Sequence, residues 1–257
     1  MTAMRRSSRG SININNGSEA TVAASLDDES IEAMGADLRS VPPPSMEHSF
    51  SVFVRAVIDG EVGAASRLLT ANPEFAAKRF DVGATRGDAG PFFYRDIAHY
   101  CYRGDTALHM AAAAFQRSTA RLLVRKGAPL DARNRRGAEP LHYAADTNWW
   151  NPTAQSETIR YLLSVGANAD ARDANGATPL HRAVRTRSAM AVRALLAGGA
   201  DVHAKNKNGS TPFDLAVRDT GRGGSGSTRA RAQQTKIIAM LLEAGARPAR
   251  SVATRRR

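Results

Sequence analysis

One short motif, returning four times along the chain, constrains the fold more than any other feature. It reads Gly104-Asp-Thr-Ala-Leu-His109, Gly137-Ala-Glu-Pro-Leu-His142, Gly176-Ala-Thr-Pro-Leu-His181 and Gly209-Ser-Thr-Pro-Phe-Asp214, with its glycines 33, 39 and 33 residues apart. An alanine-containing stretch follows each copy. A pair of aliphatic residues comes next (Leu123-Val124, Leu162-Leu163, Leu195-Leu196, Leu241-Leu242), then Gly-Ala (Gly127-Ala128, Gly166-Ala167, Gly199-Ala200, Gly245-Ala246). Such a period belongs to solenoids, where no unit can bury its apolar face alone and each packs on its neighbours.

The residues within a unit predict two helices. Pro140, Pro179 and Pro212 suit a first helical position, where the missing N–H is no loss and φ is already set. Thr106, Thr178 and Thr211 precede that position and are good N-caps. Glu139 is a poorer cap, which predicts a softer helix start in the third unit. The glycine of each Gly-Ala pair suits a left-handed stop to the second helix. Ala111 to Ala114 let neighbouring helices approach closely. His109, His142 and His181 recur once per unit, which a single metal or catalytic site would not require.

The period and the Thr-Pro-Leu-His signature resemble the ankyrin repeat. The resemblance implies an all-α solenoid of about five helix–turn–helix units with β-turn fingers between them. The units fall near 46–79, 102–134, 135–173, 174–206 and 207–248. The first is divergent: it keeps the spacing of Ala56 to Leu68 but reads Ser51-Val52-Phe53-Val54 in place of the signature, as an end cap does. The resemblance also implies that the signature histidines make structural hydrogen bonds across the fingers, with Asp214 as an acceptor in the last unit. A disordered, acidic segment 1–45 is expected before the repeats, and a short basic tail 249–257 after them.

Three stretches exceed the family's spacing. Residues 80–101 carry Phe92-Phe93-Tyr94-Arg95-Asp96-Ile97-Ala98-His99-Tyr100, which either covers the open end of the core or forms an aromatic binding lip. Residues 146–156 place Trp149 and Trp150 in a helix–helix turn, where they pack or anchor a partner. Residues 219–231 are glycine-rich and read as flexible. They lack the Gly-Lys-Ser/Thr ending of a phosphate loop.

Charge narrows the partner. The net charge is +12, yet residues 1–49 contribute −3 and the remainder +15. A basic body attracts acidic partners. In the resembled family, fingers and first helices line a concave recognition face. Carried over, that face comprises Arg133, Arg135, Arg136, Arg172, Asp173, Asn175, Lys205, Lys207 and Asn208 on the fingers. The first helices add Ala113, Ala114, Asp146, Thr147, Arg185, Thr186, Arg218 and Asp219. Eight of these seventeen are Arg or Lys and three are acidic. The expected function is therefore capture of another protein, acidic in character. Nucleic acid is the alternative, resting on charge with no motif behind it. A third reading has the acidic stretch from Asp27 to Glu32 fold onto the basic face.

Catalysis is not expected. Cys101 with His99 is the one thiol–imidazole pair close in sequence, and Asp96 with His99 brings no nucleophile. No cofactor or metal is implied, and a single cysteine excludes a disulfide framework. No apolar run is long enough to span a membrane and no secretory signal is read at the start. These point to a cytoplasmic protein, monomeric by default.

Overall fold

The computed structural model describes residues 46–146, 151–218 and 227–247. Residues 1–45, 147–150 (with Thr147, Trp149 and Trp150), 219–226 (with Asp219) and 248–257 (with the tail 249–257) lie outside them. The chain divides into units 1–43 and 44–257, and only the second holds described residues.

Ten helices among the described residues pair two by two. They are α1 (Met46–Ile58) with α2 (Val62–Ala71), α3 (Ala107–Ala113) with α4 (Arg117–Arg125), and α5 (Pro140–Ala145) with α6 (Pro152–Ser164). Next come α7 (Pro179–Arg185) with α8 (Ala189–Ala197), and α9 (Pro212–Val217) with α10 (Thr228–Glu243). The odd-numbered inner helices stack on one another in order, and so do the even-numbered outer ones. One continuous core results, with Leu108, Leu141 and Leu180 from the inner row and Leu123, Leu162, Leu195 and Leu241 from the outer row, all buried. The second aliphatic of each pair leans towards the next unit. Leu163 lies against Gly198, whereas Leu242, with no described unit after it, is exposed.

Capping explains why the inner helices start where they do. Thr178 N donates to His181 Nδ1 (3.2 Å), and His181 N donates back to Thr178 Oγ1 (3.4 Å). With Nδ1 accepting, the proton sits on Nε2, which donates to the Ser210 carbonyl of the next finger (3.0 Å). His109 reaches Ala138 O (3.1 Å) and His142 reaches Ala177 O (3.0 Å) in the same way. Each signature histidine thus closes a helix start and ties its unit to the following one. Asp214 accepts from Thr211 N (2.8 Å) but has no donor of its own to send onward, unlike the signature histidines. The third start keeps its histidine bond, Glu139 N to His142 Nδ1 (3.1 Å), while the Glu139 carboxylate pairs with Arg133 (3.1 Å).

The fingers follow a rule that the signature alone does not display. Asn134, Asp173 and Asn206 each stand three residues before a motif glycine. Their side-chain oxygens accept from the backbone N–H two and four residues on, at 2.8–3.1 Å. Backbone bonds then join finger to finger: Arg135 N to Arg103 O, Ala174 N to Arg136 O (both 2.8 Å) and Lys207 N to Asn175 O (3.0 Å). Gly137 has φ +68° at such a junction, and a Cβ there would meet Ala174 N at 2.8 Å. Gly137→Ala is therefore expected to lose at least about 1–2 kcal/mol from backbone strain alone. A urea midpoint unchanged from wild type would refute this.

The longer stretches are more ordered than their composition suggests. Phe80 already belongs to the finger ladder, exchanging bonds with Gly104 N and Asp105 O (2.8 Å each), so the first insertion begins after it. Its aromatic run folds into a hairpin of β1 (Phe93–Tyr94) and β2 (His99–Tyr100). In the stretch 146–156, α6 begins at Pro152, capped by Asn151, and buries Gln155 and Ser156. Several of the extra residues therefore lengthen the outer helix. In the stretch 219–231, Ser227 caps α10 and Ala230 is buried, so 228–231 is helix and not flexible loop. Both corrections share a cause: a small or amide cap followed by alanines favours helix even where the local composition reads as loop.

Candidate functional site

The hairpin decides which part of the inner-helix face stays open. Asp96 pairs with Arg55 of α1 (2.5 Å), and Arg55 also lies over the Tyr94 ring (5.9 Å). At the far end, the His99 ring stacks on Tyr143 of α5 (4.3 Å between centroids), with Nε2 4.0 Å from Asp146. The insertion thus runs across the inner face from α1 to α5. It is not confined to the open end of the core. Its own Ile97 and Cys101 are buried, while Phe93 and Tyr100 stay exposed with their rings tilted against each other at 4.8 Å.

Where the hairpin stops, a polar cleft opens, about 260 Å³ in volume. Its floor is a closed hydrogen-bond triangle. Asn134 Nδ2 donates to Asp105 Oδ1 (2.8 Å) and to the Tyr143 hydroxyl (2.9 Å), and that hydroxyl donates to Asp105 Oδ2 (2.7 Å). Burial first, then the Asp105 charge, pushes the Tyr143 phenol well up, so it stays a donor. The wall is Arg182 of α7, whose fork donates to Asp146 and to Asp173 (2.9 Å). Burial alone would raise the Asp146 carboxyl. The Arg182 charge, with help from His99 and Arg185, holds it well below the usual carboxylate range. The rim carries Arg136, Asn175 and Arg185, the last half-exposed and 3.2 Å from Asp146.

Several residues singled out from sequence meet here, and others do not. Arg136 and Arg185 line the cleft. Arg135 donates to the Ala84 carbonyl and lies 5.3 Å over Tyr102. Arg133 is exposed and spent on Glu139. Arg172 donates to Lys205 O (2.5 Å) and leaves its charge, with Lys205 and Lys207, on the exposed next fingers. Arg218 is exposed at the end of α9, away from the cleft lining. Trp149 and Trp150 lie outside the described residues. Thr106, Pro140, Thr178, Pro179 and Pro212 are buried at helix starts, and Thr211 is half-buried.

Sequence reasoning missed Arg182, Tyr143 and Asn134. The available signal for Arg182 was a charge directly after a signature histidine, at a position where the other units carry Met110, Tyr143 and Leu215. The Cys101–His99 pair does not form. The thiol is buried, with burial and then Asp105 pushing it far up, while the imidazole faces Tyr143 and Asp146. A nucleophile needs the thiolate, the form that burial disfavours here. Among the described residues no group of three or more His, Cys, Asp or Glu could hold a metal ion, and no helix is long and apolar enough to cross a membrane.

A family model described as ankyrin repeats (3 copies) matches residues 53–173 and 152–251. No curated protein matches the chain. The matched segments together run from α1 through the last outer helix, and the stacked pairs, fingers and bridging histidines are the structure that such repeats build. The chain belongs to the ankyrin-repeat family.

Proposed function

We propose that the chain binds an acidic segment of a partner protein along the cleft and the fingers beside it. Ankyrin repeats are protein–protein interaction modules, typically non-catalytic. The observation that carries the finer reading is how charge is spent. Both cleft carboxylates, Asp146 and Asp173, are bonded to Arg182. Among the described residues, Arg136, Arg172, Lys205 and Lys207 have no carboxylate within ion-pair distance. An incoming acidic chain supplies the missing charge, and guanidinium forks bind carboxylate with planar, paired donors. The role proposed is that of a binding module without catalysis, in the cytoplasm.

Affinity capture from native lysate with the full chain tests this. The control carries Arg136→Glu, Arg172→Glu, Lys205→Glu and Lys207→Glu. The expected result is a protein retained after nuclease treatment and lost in the control. Retention that disappears with nuclease would make nucleic acid the partner. Affinity would then fall roughly 10³-fold between about 50 and 200 mM salt if some six phosphates are contacted.

A further inference from the structure

Beside the cleft, and sharing Tyr102 and Arg136 with it, is a second and more open depression of about 570 Å³. It is lined by Thr85, Arg86, Tyr102, Arg135 and Arg136, so every charged side chain in its wall is an arginine. Three like charges in one wall repel one another, and among the described residues no carboxylate lies within ion-pair distance of any of them. Such an arrangement is stable to hold only if something fixes the side chains, and its charge is matched only when an anion arrives.

The structure supplies the fixing. Tyr102 holds two of the guanidiniums: Arg135 lies 5.3 Å and Arg136 5.0 Å from its ring centre, and Arg136 also donates to its hydroxyl (2.9 Å). Arg135 is further tied to the Ala84 carbonyl. The third arginine sits in a turn closed by Thr85 N to Asp88 O (2.9 Å) and Asp88 N to Thr85 Oγ1 (3.0 Å). That turn is anchored to the base of the hairpin by Ala84 N to Cys101 O (2.8 Å). Gly83 permits the approach, since a Cβ there would lie 2.3 Å from Arg103 N. The Arg135 and Arg136 side chains, held this way, lose little freedom on binding, and for Arg86 it is the backbone of the turn that is fixed.

We propose that this depression seats a phosphate monoester carried by a side chain of the partner protein, with the partner's adjoining residues continuing into the cleft past Tyr102. The inference rests on the protein-binding reading above and names the group recognised. A phosphate brings about −1.5 to −2 charges and three strong acceptor oxygens. That matches three guanidiniums better than the single charge of a carboxylate. Arginine clusters are a recurrent mode of phosphopeptide recognition. A nucleic-acid backbone fits less well, because each of its phosphodiesters carries a single negative charge where a monoester brings up to two.

Two experiments on the full chain test the seat. In the first, side-chain N–H signals of the arginines are followed by NMR during titration with inorganic phosphate, and in parallel with acetate. Phosphate is expected to move the signals of Arg86, Arg135 and Arg136, with acetate having little effect. The affinity should drop by about tenfold or more in Arg86→Ala and Arg135→Ala but not in Arg172→Ala. It should also weaken as pH falls and the dianion takes up a proton. Signals that stay fixed, or that respond equally to acetate, overturn the proposal. In the second, the captured partner is treated with phosphatase. Loss of binding, matched by loss in Arg86→Ala, supports the seat. A partner retained equally after phosphatase and by Arg86→Ala refutes the phosphate seat while leaving protein binding intact. Arginine signals that respond to phosphate with no protein captured refute protein binding instead.

Discussion

Replacing Arg182 by methionine is expected to lower the stability of the solenoid by about 3–5 kcal/mol, the usual loss when one partner of a buried ion pair is removed. The arginine joins two units at once. Its fork holds Asp146, at the end of α5, and Asp173, in the finger that leads to α7. The substitution leaves Asp173, whose side chain is only 6% exposed, without a cation, and Asp146, 17% exposed, with the half-exposed Arg185 alone. Arg185→Met is the contrast. That side chain is half-exposed and shares Asp146 with Arg182, so its loss is expected to stay below about 1 kcal/mol. Adding Asp146→Asn and Asp173→Asn to Arg182→Met should recover a substantial part of the loss, because neutral amides remove the stranded charge. Urea unfolding of the four proteins measures this. Equal midpoints for the two arginine variants would show that the buried triad contributes nothing.

Acid is expected to weaken the fold well above the carboxylate range. Burial lowers the imidazole pKa of His109, His142 and His181, and that of His142 falls from 6.5 to about 4. Burial keeps these rings neutral in the folded chain, with Nδ1 accepting a backbone N–H at each helix start. The unfolded chain takes up protons below about pH 6.5 while the folded chain does not, so stability falls as pH falls. For His142 the loss accrues down to about pH 4 and amounts to about 3 kcal/mol. Asp146 and Asp173, whose pKa values are depressed, lose their contribution only below the ordinary carboxylate value near pH 4. The first drop should therefore be histidine-driven, and His142→Gln should flatten its share. A urea midpoint constant from about pH 7 to pH 4 would contradict this account.

The repeat was legible because each signature residue has a local reason to be there. Proline and threonine set a helix start, glycine a left-handed stop, and the paired leucines a buried stripe, so four copies in register leave little choice of fold. The recognition surface was only partly legible. Finger positions lie just before the motif glycine, which is why Arg135, Arg136, Arg172, Lys205 and Lys207 could be placed on the fingers. What each arginine does there depends on residues far away in sequence. Arg135 is held by Ala84 and Tyr102, and Arg182 reaches back 36 residues to Asp146 in the preceding unit. Spacing within a unit carries no information about such contacts. The aromatic insertion was the least legible part. Its hairpin is fixed by Arg55 at one end and Tyr143 at the other, partners that no periodic pattern connects to it.

Hydrogen exchange of the full chain, alone and with its captured protein partner, tests the central claim most directly. Binding at the cleft and fingers predicts slower exchange at 98–103, 133–138 and 172–186, with the outer helices α4, α6 and α8 unchanged. Protection confined to those outer helices, with the fingers unaffected, would contradict it.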